Sequence, residues 1–175
     1  MEYDLRPVFS EQQLQERVCA MAREIDEFYG DEPLVVVCVL KGAFLFFADL
    51  TRALRKKNVQ LDFVRIASYG MEKQSSRKVI ISKDVELSLE GKHVLVVEDI
   101  IDTGHSMRFL LNHLAELGAK TTRVAVLVNK LERREVVVTS DFVGFHLPDG
   151  FIVGYGLDYA EQYRNLPAIY EVLNP

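Results

Sequence analysis

Three stretches of this chain are apolar almost without interruption: LVVVCVL at 34–40, HVLVV at 93–97 and RVAVLV at 123–128. A strand with one wet face alternates apolar and polar residues. A strand with no polar position is buried on both faces, as in a parallel sheet covered by helices. The segments around these runs carry helical spacing. Ser10 and Gln13 form a capping-box pair, and Leu14, Val18, Met21, Ile25 and Phe28 then recur at steps of three and four up to Gly30. FLFFADLTRALRKK (44–57) and SMRFLLNHLAELG (106–118) read as two more helices. Strands are expected at DFVRIAS (62–68) and VIIS (79–82), with two short ones in DFVGFHL and FIVGYG around the turn PDG. Alternating strands and helices require right-handed crossovers and give a mainly parallel sheet. Ligands of such sheets bind beyond the carboxyl ends of the strands. Lys41, Glu98, Asp99 and Lys130 all stand at such ends, so one pocket can collect them.

The 175 residues fit one domain spanning 1–175, and 49% hydrophobic residues exclude a disordered chain. No apolar run approaches the roughly 20 residues of a membrane helix. The start MEYDLRPVFS shows no secretory pattern. A net charge of −5 argues against general nucleic-acid binding. Cys19 falls in a helical pattern and Cys38 in an apolar strand pattern, and both are expected to be free, buried thiols, which suits a cytoplasmic location. The histidines show no zinc spacing.

The segment VEDIIDTGHSM (97–107) joins a strand to a helix and concentrates polar chemistry. Backbone N–H groups from 103 to 106, the Thr103 and Ser106 hydroxyls and the helix N-terminus suit a phosphate monoester. Gly104 permits close approach. Three carboxylates would repel a bare phosphate. They make sense if the ligand also carries hydroxyls or a divalent cation: Glu98 and Asp99 can accept from a ribose diol or help hold Mg²⁺. Asp102 is then left as a candidate proton acceptor; as an isolated residue it could equally cap the turn.

The string VLVVEDIIDTGHSM resembles the phosphoribosyl-diphosphate signature of type I phosphoribosyltransferases. Together with VLKGAFLFFADL, SYG and DFVGFHLPDGFIVGYGLDYAEQYRNLP it is similar to the hypoxanthine-guanine phosphoribosyltransferase family, over roughly residues 34 to 170. At His105 relatives often carry Lys or Asn, so only its backbone is matched to the phosphate.

The resemblance implies an α/β type I phosphoribosyltransferase fold: a central, mainly parallel sheet flanked by helices, a small hood, and a flexible lid loop at 69–78. It implies transfer of 5-phosphoribosyl from 5-phosphoribosyl 1-diphosphate to N9 of a 6-oxopurine, hypoxanthine or guanine. The products are IMP or GMP and pyrophosphate, and the role is purine salvage. Asp102 matches the general base. Glu98 and Asp99 match the ribose and metal acids, and Asp158 a second Mg²⁺ ligand. Residues Asp102, Thr103, Gly104, His105 and Ser106 match the 5-phosphate cradle. Lys41, Gly42, Ser68, Tyr69 and Arg164 match the diphosphate contacts, and the peptide before Lys41 can be cis in the family. Lys130 matches the donor to the purine 6-oxo group, Phe151 the stacking ring and Ile152 the backbone that reads the base edge. Taken alone, Lys130 would be a solvated strand-end charge and Phe151 a core aromatic. Homodimers or homotetramers are implied, with neither nucleic acid nor membrane as partner. Two alternatives stay open: an adenine or xanthine enzyme on the same scaffold, and a non-catalytic sensor of phosphoribosyl diphosphate that binds RNA or another protein.

Overall fold

The computed structural model describes residues 4–69 and 78–174. Its elements in chain order are β1 (Asp4–Phe9), α1 (Glu11–Tyr29), β2 (Leu34–Leu40), α2 (Phe44–Ala53), β3 (Val59–Tyr69), β4 (Lys78–Lys83), β5 (His93–Ile101), α3 (His105–Glu116), β6 (Thr121–Asn129), β7 (Phe142–His146), β8 (Ile152–Val153) and β9 (Ile169–Leu173). The main sheet has the order β4-β3-β2-β5-β6-β7. Its central pairings are parallel, and β4 is an antiparallel edge on β3. The expected parallel sheet is therefore present, closed on one side by an antiparallel strand.

The continuous apolar runs are buried on both faces, as their composition requires. Val36, Cys38, Leu95, Val97 and Leu127 point into one core with α1 and α2. Val35, Val37, Val94, Val96, Val124 and Val126 point into the other with Met107, Leu110 and Leu114 of α3. This two-sided packing anchors the sheet and leaves its carboxyl edge to present polar groups.

The α1 capping box forms as expected: Ser10 accepts from the Gln13 backbone, and the Gln13 side chain accepts from the Ser10 N–H. Several local expectations are corrected. Phe28 is 53% exposed, and Tyr29 takes the buried place at the end of α1. The Phe28 ring instead lies under the Arg123 guanidinium, 4.4 Å from the ring centroid. Helix α2 stops at Ala53, short of residue 57, because the chain turns extended at Leu54. The following N–H of Arg55 donates to Asp26 at 2.9 Å, which pins the tail to α1. Strand β5 runs on to Ile101, so Glu98 and Asp99 lie on the strand itself and only Asp102 to Gly104 form the turn.

A second sheet, ordered β1-β9-β8 and antiparallel, is the small hood. The pattern reading did not identify β1 or β9. Strand β1 carries Asp4, Arg6 and Pro7 and is mostly exposed, so it presents no apolar run, and an edge position tolerates its proline. The expected lid, residues 69–78, lies outside the described residues except for the paired backbones of Tyr69 and Lys78.

Both cysteines are free, but only Cys38 is buried; Cys19 is exposed on α1. Burial, then the nearby charges of Glu98 and Asp99, push the Cys38 thiol up to about 12. Raised from an ordinary 9.0, such a thiol carries roughly a thousandfold less thiolate, the reactive form. Alkylation of native protein should therefore modify Cys19 alone, with Cys38 reacting only in denaturant. Peptide mapping after short iodoacetamide exposure checks this; rapid native labelling of Cys38 would contradict its placement.

Candidate active site

At the carboxyl edge of the sheet lies a cavity of about 270 Å³. Its walls come from the end of β2 (Leu40, Gly42), the end of β5 (Glu98, Asp99) and the turn from Asp102 through Ser106. Of the four strand-end charges expected to share one pocket, Glu98 and Asp99 line this cavity, whereas Lys41 and Lys130 do not.

The floor depends on one close approach. A Cβ on Gly42 would stand 1.6 Å from Asp99 Oδ2, so the backbone after β2 rests directly against the Asp99 carboxylate. The peptide before it, Leu40–Lys41, is cis. Gly156, at φ +101°, packs in turn against Gly42, where an added Cβ would meet the Gly42 carbonyl oxygen at 2.1 Å. Arg164 donates to the Gly156 carbonyl at 2.8 Å, which ties the 156–164 loop to the same seam.

Glu98 and Asp99 are half-buried neighbours on β5. Glu98 Oε1 accepts from the Asp99 N–H at 3.1 Å, and Asp99 Oδ1 from the Ile100 N–H at 2.8 Å. Burial, and then the adjacent Asp99 charge, raise the Glu98 carboxyl well above its usual range. Burial also raises Asp99, against hydrogen bonds that favour its charged form. Two adjacent carboxylates that resist joint ionisation form a donor set fitted to a divalent cation. Among the described residues no three His, Cys, Asp or Glu side chains gather as a metal cluster. Mg²⁺ takes one or two carboxylates and completes its shell with water and substrate oxygens, a demand that the Glu98–Asp99 pair could meet. Asp158 stands apart from the pair, with its Oδ1 2.8 Å from Arg164 Nη2.

The other end of the cavity is the phosphate-type turn. Gly104, at φ +91°, is the N-cap of α3, and a Cβ there would lie 2.6 Å from the Val136 carbonyl oxygen. Helix α3 has no side-chain cap and no acid in its first turn. The positive end of the helix dipole thus meets neither a capping side chain nor a first-turn carboxylate, a setting that favours an anion. A second loop braces this turn. The Thr103 carbonyl accepts from the N–H groups of Glu135 and Val136, both at 3.0 Å. Arg134 donates to the carbonyls of Asp102 at 3.1 Å, Ile101 at 3.3 Å and Val138 at 3.1 Å, and to Asn129 Oδ1 at 2.5 Å. Asp102 Oδ2 lies 3.3 Å from Arg133 Nη1, whereas Oδ1 is buried with no partner. His105 pairs with Glu135 at 2.9 Å on the surface.

Lys41, Lys130, Phe151, Ile152, Asp158 and Arg164 are not among the residues that line this cavity. Lys130 follows β6, and its N–H donates to the Ile101 carbonyl at 3.2 Å. It is only 5% exposed, and its Nζ donates to the Gly150 carbonyl at 2.5 Å, so it is not a solvated strand-end charge. Phe151 is 41% exposed and meets Tyr159 edge-on at 5.1 Å, so it is not a core aromatic either. The Ile152 side chain is buried, which leaves its backbone as the group able to read a ligand. Ser68 and Tyr69 end β3; their side chains lie outside the described atoms. Arg133, Arg134 and Glu161 were not singled out from the sequence. Their only trace there is charge, in ERRE after β6 and in the i, i+3 pair Glu161–Arg164.

Known proteins resemble this chain in both sequence and fold. Residues 8–160 match the model of the phosphoribosyl transferase domain. The hypoxanthine-guanine phosphoribosyltransferase of Aquifex aeolicus is 44% identical over 169 residues, covering 96% of this chain and 94% of the relative. That of Bacillus subtilis is 41% identical over 176 residues, covering 100% and 97%. The crystal structure of a hypoxanthine-guanine phosphoribosyltransferase from Bacillus anthracis superposes with a TM-score of 0.91 at 44% identity, over 99% of this chain and 100% of that one. The chain belongs to the hypoxanthine-guanine phosphoribosyltransferase family. Members of this family are transferases, and the type I fold expected from the resemblance is the fold observed.

The acid pair yields a stability prediction. A carboxyl whose native pKa is raised costs nothing below its unfolded value, and its cost grows as pH rises from the unfolded value to the native one. In metal-free buffer Glu98→Gln should therefore melt higher than wild type at neutral pH. The gain should shrink as pH falls and disappear below the ordinary glutamate value of 4.5. Thermal melts across that range in chelator are the check; a constant or inverted difference would contradict the strained pair.

Proposed function

We propose that this chain transfers the 5-phosphoribosyl group of 5-phosphoribosyl 1-diphosphate to N9 of hypoxanthine or guanine, forming IMP or GMP and releasing pyrophosphate in purine salvage. The observation that carries this reading is the cavity itself. It has an acid pair against the Gly42 backbone at one end and an uncapped helix N-terminus at the other. A ligand with a phosphate at one end and a diol beside a polyanion at the other matches both ends.

Thr103, Gly104, His105 and Ser106 supply backbone donors to the 5-phosphate, helped by the Thr103 and Ser106 hydroxyls. Glu98 and Asp99 accept from the ribose diol and hold Mg²⁺, with Asp158 a ligand of a second ion. When bound, Mg²⁺ neutralises charge on the diphosphate. Lys41, Gly42, Ser68, Tyr69 and Arg164 hold that group as it leaves, and the transition state resembles a ribosyl oxocarbenium ion, as in sugar transfer generally. Phe151 stacks on the base, and the Ile152 backbone reads its edge. We place the enzyme in the cytoplasm as a homodimer or homotetramer, with residues 1–175 forming one domain.

Asp102 takes the purine proton through Oδ1, the buried oxygen with no partner. Such an orphaned acceptor calls for a functional explanation. Asp102→Asn keeps the backbone donors of the loop and removes the acceptor. It should retain phosphoribosyl-diphosphate binding and lose ~10²–10⁴ in single-turnover rate. A near-wild-type rate would remove Asp102 from this role.

Lys130 decides the base. Its ammonium spends one donor on Gly150 and has no acceptor to offer. A 6-oxo group accepts from the remaining donors. The 6-amino group of adenine would leave them desolvated and unpaired, and sites built on such a bond discriminate by about 10⁴–10⁵. With Mg²⁺ and phosphoribosyl diphosphate, hypoxanthine and guanine should turn over, with adenine at least ~10³ worse in kcat/KM. Equal use of adenine would refute the pocket assignment. No turnover with any purine would favour the sensor.

A further inference from the structure

Lys41 and Arg164 are the two cations assigned above to the diphosphate, and a single anion already bridges them. Glu161 Oε2 accepts from Lys41 Nζ at 2.8 Å and from Arg164 Nη2 at 3.3 Å. One oxygen shared between an ammonium and a guanidinium is the contact expected of a phosphate oxygen held by the same pair. The loop directs the carboxylate there. Ala160 and Glu161 are both left-handed, at φ 49° and 65°. The Glu161 N–H donates to Asp158 Oδ2 at 2.8 Å, and Asp158 Oδ1 in turn lies 2.8 Å from Arg164 Nη2. The two bridging hydrogen bonds hold the Glu161 carboxyl below its usual range.

We propose that Glu161 is a built-in stand-in for the diphosphate: its carboxylate occupies the anion position between Lys41 and Arg164 in the ligand-free protein and must be displaced when the diphosphate binds. This rests on the diphosphate assignment of Lys41 and Arg164. Displacement is feasible because the Glu161 side chain is 65% exposed and its ion pairs are screened by solvent. A diphosphate brings more charge and more oxygens to the same two cations. In the resting protein the carboxylate keeps the cations positioned without a ligand. Its nearby charge then weakens the hold on pyrophosphate after transfer. Glu161 thus sets diphosphate affinity without touching the purine.

The test uses the full chain and inorganic pyrophosphate as probe, by calorimetry, with and without Mg²⁺. Glu161→Gln keeps size and removes the charge. It should bind pyrophosphate ~3–10-fold tighter in both conditions, as expected for loss of a surface ionic competitor. The gap should narrow at high salt. In steady state KM for phosphoribosyl diphosphate should fall while KM for the base stays unchanged, a split that a merely structural role would not produce. Glu161→Asp, which keeps the charge, should stay near wild type. Unchanged or weaker pyrophosphate binding by Glu161→Gln overturns the stand-in role, and weakening confined to Mg²⁺ overturns it in favour of a metal ligand. Lys41→Gln and Arg164→Gln separate the two levels of argument. If both bind pyrophosphate like wild type, the diphosphate assignment fails and the stand-in with it. If both lose binding while Glu161→Gln does not tighten it, only the stand-in fails.

Discussion

The site depends on the contact between the Gly42 backbone and the Asp99 carboxylate. With 1.6 Å from a would-be Cβ to Oδ2, no side chain fits between the loop after β2 and the acid on β5. Asp99 cannot swing away freely, because its other oxygen is fixed on the Ile100 N–H. Gly156 repeats the arrangement one layer out, with the Gly42 carbonyl at 2.1 Å from its would-be Cβ. Two glycines thus let three chain segments meet where any larger residue would hold them apart. The segments that carry Lys41, Asp99 and Arg164 meet at one seam as a consequence.

The phosphate end is stiffened differently. A turn that offers its N–H groups to a ligand must satisfy its carbonyls elsewhere, since unpaired buried carbonyls are costly. Arg134 and the N–H groups of Glu135 and Val136 take the carbonyls of Ile101, Asp102 and Thr103. The acceptors of the turn are thus taken up by the protein. Burial lowers the Arg134 pKa while Asp102 opposes the change, yet guanidinium stays protonated under all ordinary conditions. The brace is therefore permanent.

How much of this was legible in the sequence follows from where the information resides. Burial on both faces leaves a mark that needs no partner to be read, so β2, β5 and β6 were evident from LVVVCVL, HVLVV and RVAVLV. Strand β1, DLRPVF, carries no apolar run, and β9, IYEVL, is a five-residue segment broken by Glu171; the two are defined by pairing with each other across at least 160 residues of chain. Phe28 satisfied the helical period and still faces outward, because a residue at the end of α1 can trade core packing for the Arg123 cation. In the site, motif residues such as Asp102 and Gly104 sit in one contiguous string. The charges that act on them, Arg133, Arg134 and Glu161, are defined only by contacts made after folding.

Charge is the last level at which the fold decides more than the composition. The chain is net acidic at −5, and the cavity itself is lined by Glu98, Asp99 and Asp102. A polyanion can still bind because each negative group already has an assigned counterpart: the acid pair is matched to a cation and hydroxyls, and Asp102 Oδ2 faces Arg133. The opposing fields are local. In the proposed assignment the α3 N-terminus would act on one phosphate and Lys41 with Arg164 on the others, and such fields fall off over the roughly 8–10 Å at which salt screens exposed charges. Summed charge governs long-range encounter, and the placement of dipoles and cations governs what is held on arrival. That placement cannot be summed from the composition: the carboxylates that line the cavity and the cations beside it owe their positions to folding.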